Sequence, residues 1–382
     1  MENPSITAVV LAAGFSKRMG RLKPLLPLGA SRTIERVLNF FQMAGVGDIL
    51  VVTGHRSADV RQAVEHVNVR CVENPDYHQG MFASVLAGIR ALPEQCRAFF
   101  IHPTDIPLVR PQTVRRLMAA FNDASAKILY PTFSGRRGHP TLIRTCLVPS
   151  IRQWSGSGGL KACLQRHEAD SLELPVVDEA ILLDLDTPGD YDRMQTRLIA
   201  EGLPSGEECR VLIEQMQILP SPIADHCRAV SWVAMQLAQA LEVAGASIDI
   251  ELVRTAALLH DIARTRKNHA EAGARLLAGH GFARLAPIVS AHMDLDVIRD
   301  RPVDEAQVVY LADKLVDGDR CVDMEPRFSR QMETYSGNRS ALDAIARRWE
   351  NARQIRTKVE RVTGQPIEAI VANTNASLGG EM

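Results

Sequence analysis

The sequence predicts an α/β domain followed by an all-α domain, and three observations lead there. The first half alternates short β-branched runs with amphipathic stretches, the pattern of a Rossmann-like, mostly parallel sheet covered on both faces. From Arg210 onward helical periodicity is nearly continuous. At 382 residues the chain exceeds what one hydrophobic core usually organises, and its 46% hydrophobic content suffices for two.

Strands are expected at residues 7–11, 49–53, 67–72, 98–102 and 127–131, where Val, Ile and Phe dominate. Helices are expected between them at 33–44, 58–66, 84–92 and 112–121. Two further strands, 141–144 and 181–184, precede a helix from Pro188 to Ala200, with proline at the first turn where its missing N–H is not needed. Residues 201–208 (EGLPSGEE) are polar with Gly and Pro and read as a linker. The expected domains are therefore 1–200 and 210–382, joined by 201–209. Helices in the second are expected at 211–219, 223–244, 250–264, 270–279, 284–293, 304–316 and 341–363.

Composition excludes several classes of function. The 44 basic and 45 acidic residues nearly cancel to a net charge of -1, which argues against broad binding to nucleic acid or anionic membrane. The apolar run at 6–13 is far too short to span a bilayer, and no basic segment precedes it as in a signal peptide. The 7 cysteines are scattered without a C-x-x-C pair, so a disulfide framework or zinc knuckle is not expected and a cytoplasmic protein is.

In open α/β sheets ligands bind beyond the carboxyl ends of the strands. The loop after the first expected strand runs Leu11, Ala12, Ala13, Gly14, Phe15, Ser16, Lys17, Arg18, Met19, Gly20, Arg21, Leu22, Lys23. Small residues permit close backbone approach, and successive free amides form a concave site for anions. Arg18 and Lys23 add cations, so the loop suits a triphosphate. It has neither the P-loop nor the dinucleotide-fold glycine spacing. The string L-A-A-G-x-S-x-R-M-G-x-x-K-P-L-L, Leu11 to Leu26, resembles the signature of the nucleotidyltransferases that include the molybdenum cofactor cytidylyltransferases and guanylyltransferases.

The resemblance continues through Asn74, Gly80, Met81 and Ser84 (NPDYHQGMFAS), through HPTDIPLV with Asp105, through Gly138-His139-Pro140, and through DLDTPGDY with Asp186. It implies that Leu11, Ala12, Ala13, Gly14, Lys23, Asn74, Gly80 and Ser84 bind the nucleotide, with Ser84 also a helix N-cap. Asp105 and Asp186 would share a Mg²⁺ ion, and Arg18 and Lys23 would neutralise the phosphates. The Ala12-Ala13-Gly14 form resembles the CTP-using branch, with molybdopterin cofactor as acceptor and a molybdoenzyme or its chaperone as a protein partner. GTP, or a sugar or alcohol phosphate acceptor, is the alternative. The chain departs from that branch at Gly156-Ser157-Gly158-Gly159-Leu160-Lys161, where an acidic residue and an arginine are common, and at Thr104.

The second domain carries His226, His260 with Asp261, and Asp313 in apolar surroundings. Burying such groups is costly unless they are paired or ligate a metal. The order H…HD…D resembles the HD-superfamily phosphohydrolases. That resemblance implies a divalent transition metal such as Mn²⁺ or Fe²⁺ on these four residues, with Asp261 also a proton acceptor. His269 and His292 are candidates for a second metal or a phosphate contact, and Lys314 and Arg320 for phosphate. The alternative is a non-catalytic sensor or assembly module.

Overall fold

The structure is a computed structural model, and it describes residues 5–298 and 301–372. The outermost ends of the two expected domains, 1–4 and 373–382, lie outside these. The chain divides into two compact units, Met1–Glu201 and Gly202–Met382. Among the described residues no helix is long and apolar enough to cross a membrane.

The first unit is built on seven main strands: β1 (Ile6–Ala12), β2 (Asp48–Thr53), β3 (Arg70–Glu73), β4 (Ala98–Pro103), β5 (Ile128–Phe133), β6 (Thr141–Arg144) and β7 (Ser171–Pro175). Their order is β7-β5-β6-β4-β1-β2-β3, with a two-residue strand at Arg136–Arg137 returning along β5. All pairings on this path are parallel except those of β6 with β4 and β5. β1 and β4 are buried nearly throughout, as expected for central strands with both faces covered. Among the described residues, five helices of eight or more residues accompany the sheet, α1 (Thr33–Ala44), α2 (Ser57–Val64), α3 (Met81–Arg90), α4 (Pro111–Asp123) and α5 (Pro188–Ile199), with two shorter ones at Val148–Arg152 and Gly159–Gln165.

β1 pairs with β2 on one side and β4 on the other. The connections leave β1 in opposite directions, so a crevice opens at the carboxyl ends of β1 and β4. α3 lies against β1 and β2 at Gly88, where a Cβ would stand 2.4 Å from Val9 Cγ1. Only glycine lets the helix that follows Gly80 approach the sheet this closely.

Two expectations are corrected here. Residues 181–184 do not form a strand. Glu179–Leu182 is a 3-10 turn, and the chain then crosses the sheet's end, with the Leu185 amide donating to the Asp105 carbonyl at 2.8 Å. Gly138 permits the crossing, since a Cβ there would meet the Ile181 carbonyl oxygen at 2.5 Å. The edge strand is instead β7, whose short polar SLELP run carries little strand signal.

In the segment expected as a linker, Gly206–Arg210 is helical and Glu208 and Cys209 are buried. The Ser205 hydroxyl accepts from the Glu208 amide at 3.2 Å, which starts the helix. The turns over Val211–Met216 are widened into a π-helix. The second unit continues with α6 (Ser221–Val243), α7 (Ile250–Leu259), α8 (His269–Gly279), α9 (Ala286–Ala291), α10 (Glu305–Lys314), α11 (Met324–Thr334) and α12 (Arg339–Thr363), with a small hairpin of Val316–Asp317 and Arg320–Cys321 and a last turn at Ile367–Ile370. α6 and α7 pack together and against α10, burying Val230, Val233, Leu237, Leu259 and Tyr310. Asp249, Asp304 and Asn338 cap the starts of α7, α10 and α12 with their side-chain oxygens. α11 belongs to the C-terminal helical extension expected after the H…HD…D residues, but its bounds were not legible, because its charged MEPRFSRQMET run buries only Met324 and Phe328.

Candidate active sites

In the first unit the loop after β1 turns back on itself. Ser16 takes a left-handed conformation, and its hydroxyl accepts from the Lys23 amide at 3.0 Å. That bond carries Lys23 back under the crevice. Its Nζ lies 3.0 Å from Asp105 Oδ2 and 2.6 Å from Asp186 Oδ1. Arg18 Nη2 reaches the other Asp186 oxygen at 2.9 Å. Asp105 follows β4, while Asp186 arrives on the crossing segment that Leu185 ties to Asp105. Two acids far apart in sequence thus share one ammonium.

The Lys23 pKa is raised: burial lowers it, and the bonds and charges of Asp186 and Asp105 outweigh burial. Asp184, on the same crossing segment, has a raised pKa, from partial desolvation first and then from Asp105 and Asp186. The two carboxylates converge and are partly exposed, so they fit a hard divalent cation, which needs only one or two protein oxygens beside those of phosphate.

A cavity of about 440 Å³ opens here, lined by Leu11, Ala13, Gly14, Gly80, Ser84, Lys23 and Asp105 among others. Ala12, Arg18, Asn74 and Asp186 are not among its lining residues; Asp186 meets Lys23 beside it, and Arg18 meets Asp186. Asn74 is buried, donating to the Ser84 hydroxyl at 3.0 Å and accepting from the Asp76 amide at 3.0 Å. Ser84 is not an N-cap: α3 begins at Met81 after Gly80, whose positive φ sets the helix start, and the Ser84 hydroxyl is engaged by Asn74 instead. The sequence reading passed over an aromatic wall, in which Phe15 lies 5.1 Å from His55 and 5.2 Å from Tyr77 between ring centres. Tyr77 stands inside the quoted NPDYHQGM string, so the signal was present but an isolated aromatic there carries no direction.

In the second unit the six singled-out residues come together. His260 and Asp261 do not lie within a helix as expected. α7 ends at Leu259, because the His260 ring takes the Ala257 carbonyl at 2.7 Å that the next helical amide would have used. Asp261 sits in the turn that follows, its carbonyl accepting from the Arg264 amide at 2.8 Å. His226 comes from α6, Asp313 from the end of α10, His269 from the start of α8, and His292 follows α9.

The Nδ1 atoms of His226, His260 and His292 face the carbonyls of Gly318, Ala257 and Val289 at 2.9, 2.7 and 2.6 Å. A carbonyl only accepts, so Nδ1 must carry the hydrogen, and each neutral ring turns its Nε2 lone pair inward. There the lone pairs meet carboxylate oxygens. His226 Nε2 is 3.1 Å from Asp313 Oδ1, and His260 Nε2 is 3.6 Å from Asp261 Oδ2 and 3.8 Å from Asp313 Oδ1. The other Asp261 oxygen lies 3.2 Å from His269 Nε2 and 3.4 Å from His292 Nε2.

Lone pairs facing anions require a cation between them, either a proton or a metal. The His260 Nε2 is buried without a hydrogen-bond partner, and burial first, against the pull of the two aspartates, lowers its pKa to about 4. The proton is thereby disfavoured at that ring. His226 differs: burial lowers its pKa, but Asp313 outweighs burial and leaves it raised. Burial likewise opposes ionisation of Asp313, yet Lys314 and the histidines hold its carboxyl well below the usual range. The donor set of neutral imidazole and carboxylate fits a divalent transition metal, and the residues that could hold one form two groups sharing Asp261.

Lys314 Nζ lies 2.5 Å from Asp313 Oδ2 and lines the cavity beside this centre. Arg320 is 84% exposed in its side chain, with Asp319 4.0 Å away, and is not among the cavity-lining residues, so the expected phosphate contact fails there. The turn carrying Arg320 pairs back on Val316–Asp317, which directs the side chain to solvent.

Residues 8–171 match the MobA-like NTP transferase domain family, and residues 223–316 match the HD domain family. The chain is similar to the molybdenum cofactor cytidylyltransferase of Escherichia coli K12, 29% identical over 49% of this chain and 94% of that protein. It is also 29% identical to the nicotine blue oxidoreductase of Paenarthrobacter nicotinovorans, over 48% of this chain and 93% of the relative. A Mycobacterium avium protein named "Probable molybdenum cofactor guanylyltransferase" is 26% identical over 50% of this chain and 94% of its own length. With the convergent lysine and aspartates in the first unit and the His–Asp cluster in the second, this chain is a nucleotidyltransferase of the MobA-like NTP transferase domain family fused to an HD domain.

Proposed function

We propose that the first unit transfers CMP from CTP to a phosphate of molybdopterin cofactor with release of pyrophosphate, and that the second is a metal-dependent phosphohydrolase. The observation that carries the first half is the meeting of Lys23, Asp105 and Asp186 at the crevice between β1 and β4. Similarity across nearly the whole length of the E. coli cytidylyltransferase, and the Ala12-Ala13-Gly14 loop, support CTP and this acceptor. GTP is the second reading, supported by the guanylyltransferase relative. A molybdoenzyme or its chaperone would receive the product, in the cytoplasm.

In this mechanism an oxygen of the acceptor phosphate attacks the α-phosphorus of the nucleotide. The new P–O bond forms as the bond to the bridging oxygen breaks, and pyrophosphate takes the electron pair. Lys23, Arg18 and the loop amides neutralise the departing pyrophosphate, while Gly80 and Ser84 shape the base and ribose end. Asp105 and Asp186 would hold Mg²⁺, whose charge polarises the α-phosphate. Lys23 now bonds both carboxylates, and with the triphosphate bound its ammonium turns to phosphate. Positioning and charge neutralisation suffice without a covalent enzyme intermediate.

In the second unit His226, His260, Asp261 and Asp313 would hold the first metal, with His269 and His292 on the other Asp261 oxygen. A metal held by these residues would supply hydroxide chemistry at neutral pH. Asp261 would accept a proton from the attacking water as the new P–O bond forms and the bond to the ester oxygen breaks, that oxygen leaving with the electron pair. Lys314, which bonds Asp313 and donates to the His292 carbonyl at 3.2 Å, ties the end of α10 to the segment after α9.

The deciding experiment incubates purified protein with Mg²⁺, molybdopterin cofactor and either CTP or GTP, and follows dinucleotide formation. The cytidine product is expected. No product with either nucleotide refutes the transferase reading. A chain that retains no metal after purification in Mn²⁺ or Fe²⁺, and hydrolyses no phosphate ester, makes the second unit a sensor or assembly module.

A further inference from the structure

The cavity beside the His–Asp centre, about 520 Å³, extends beyond the part of the chain that matches the HD family. Its floor includes His226, Asp261, His292 and Asp313. The facing wall comes from α11 and α12, which lie wholly after residue 316. We propose that these two helices complete the substrate pocket of the centre and select a small phosphate ester that carries a flat apolar ring. This rests on the phosphohydrolase reading of the second unit.

Cations line the cavity. Arg327 of α11 donates from Nη1 to the Asp313 carbonyl at 2.6 Å, which pins a guanidinium against the backbone of a ligand residue. A guanidinium has five N–H donors, so one such bond leaves capacity for phosphate oxygens. Arg348 of α12 is held to Asp294 by bonds of 3.2 and 3.1 Å, and Lys314 stands at Asp313. These cations line the same cavity as the cluster, so a phosphate at the centre meets fixed positive charge.

Apolar side chains line it as well. Ile345 and Phe328 are buried there, and the Phe328 ring stacks on Trp349 with centres 5.8 Å apart and planes 8° from parallel. Tyr335, at the end of α11, lines the cavity while 51% exposed, an aromatic surface at the mouth rather than in the core. The volume falls within the roughly 300–1,000 Å³ usual for small-molecule sites. Lining cations, apolar side chains and an aromatic rim together fit a phosphate on a ring and leave no apolar partner for inorganic phosphate.

The test uses the full chain carrying Lys23→Ala, so that the front loop does not compete, and measures calorimetric binding of phenyl phosphate and inorganic phosphate with and without Mn²⁺. Phenyl phosphate is expected to bind about 3- to 10-fold more tightly, the range an aromatic contact supplies. Tyr335→Ala, at an exposed position, removes that preference and leaves the inorganic phosphate Kd unchanged. Arg348→Gln weakens both ligands. Equal binding of the two ligands, or a preference that survives Tyr335→Ala, overturns the pocket assignment. Ring-dependent binding without any phosphate release from phenyl phosphate in Mn²⁺ sinks the hydrolase reading while the pocket stands.

Discussion

The two centres of this chain hold their acids in opposite ways. In the first unit Asp105 and Asp186 are 25% and 24% exposed in their side chains, sit on loops, and are neutralised by a lysine and an arginine of the same chain. In the second, Asp261 and Asp313 are 6% and 10% exposed and face imidazoles, three of which commit Nδ1 to carbonyls, with Lys314 as the cation bonded to the Asp313 carboxylate. The difference teaches what kind of cation each can hold. Loose, wet carboxylates suit a hard ion that arrives with its phosphate and leaves with the product. Buried neutral imidazoles around carboxylates suit a resident transition metal, because without one their lone pairs face anions.

The sharpest way to break this contrast is to remove the cation that each site depends on. Lys23→Ala is expected to lower nucleotidyl transfer by about 10²- to 10³-fold, the loss that follows removal of one fixed donor to a developing charge. Metal bound by the second unit, read by elemental analysis, stays unchanged. Undiminished dinucleotide formation would remove Lys23 from the mechanism.

Asp261→Asn attacks the other centre. Its two oxygens face the two groups of ligands separately, so both are weakened at once. Mn²⁺ affinity is expected to fall at least as far as the roughly 100-fold that losing an outer-shell partner can cost, with nucleotidyl transfer intact. Full metal retention would mean that the cluster is a proton-held core network.

Gly88→Ala tests whether the front site depends on the sheet beneath it. The added Cβ meets Val9 Cγ1 at 2.4 Å and Val52 Cγ2 at 3.1 Å, and the overpacking should cost about 1–3 kcal/mol, partly offset by better helix propensity. A lower urea midpoint for the first unit and weaker nucleotide binding are expected together, since α3 starts at the cavity. Binding that survives a clear loss of stability would show the loop to be self-supporting.

The mildest effect concerns pH. His102, at the end of β4, is buried and bonded to the Ile106 carbonyl at 2.9 Å, and burial, aided by His139, lowers its pKa from 6.5 to about 3. The unfolded chain therefore binds a proton that the folded one refuses. Stability of the first unit should fall as pH drops from about 6.5 toward about 3 and level off below. His102→Phe should flatten that slope, measured as the denaturant midpoint at pH 7 and pH 5. An unaltered slope would assign the acid sensitivity to the carboxylates.

How much could be read beforehand differs between the two halves. In the first, β1, α1 and β6 emerged where alternation and helical periodicity put them, because each is long or regular enough for local pattern to dominate. Residues 181–184 did not, since an apolar ILL run serves a strand or a buried 3-10 turn equally well. In the second, the H…HD…D order was legible, but the helix boundary at Leu259 was not, because a side chain capturing a carbonyl is invisible to periodicity.

The sequence by itself determined the kind of chemistry: which residues are cationic, which can ligate a metal, and in what order they occur. Only the tertiary structure decided that Asp105 and Asp186 share Lys23, that Asp261 turns one oxygen to each group of histidines, and that α11 and α12 close the rear cavity. The reason is physical. Composition and spacing act over a few residues, whereas these meetings are made by strand order, by a glycine that admits a crossing chain, and by helix packing between distant segments.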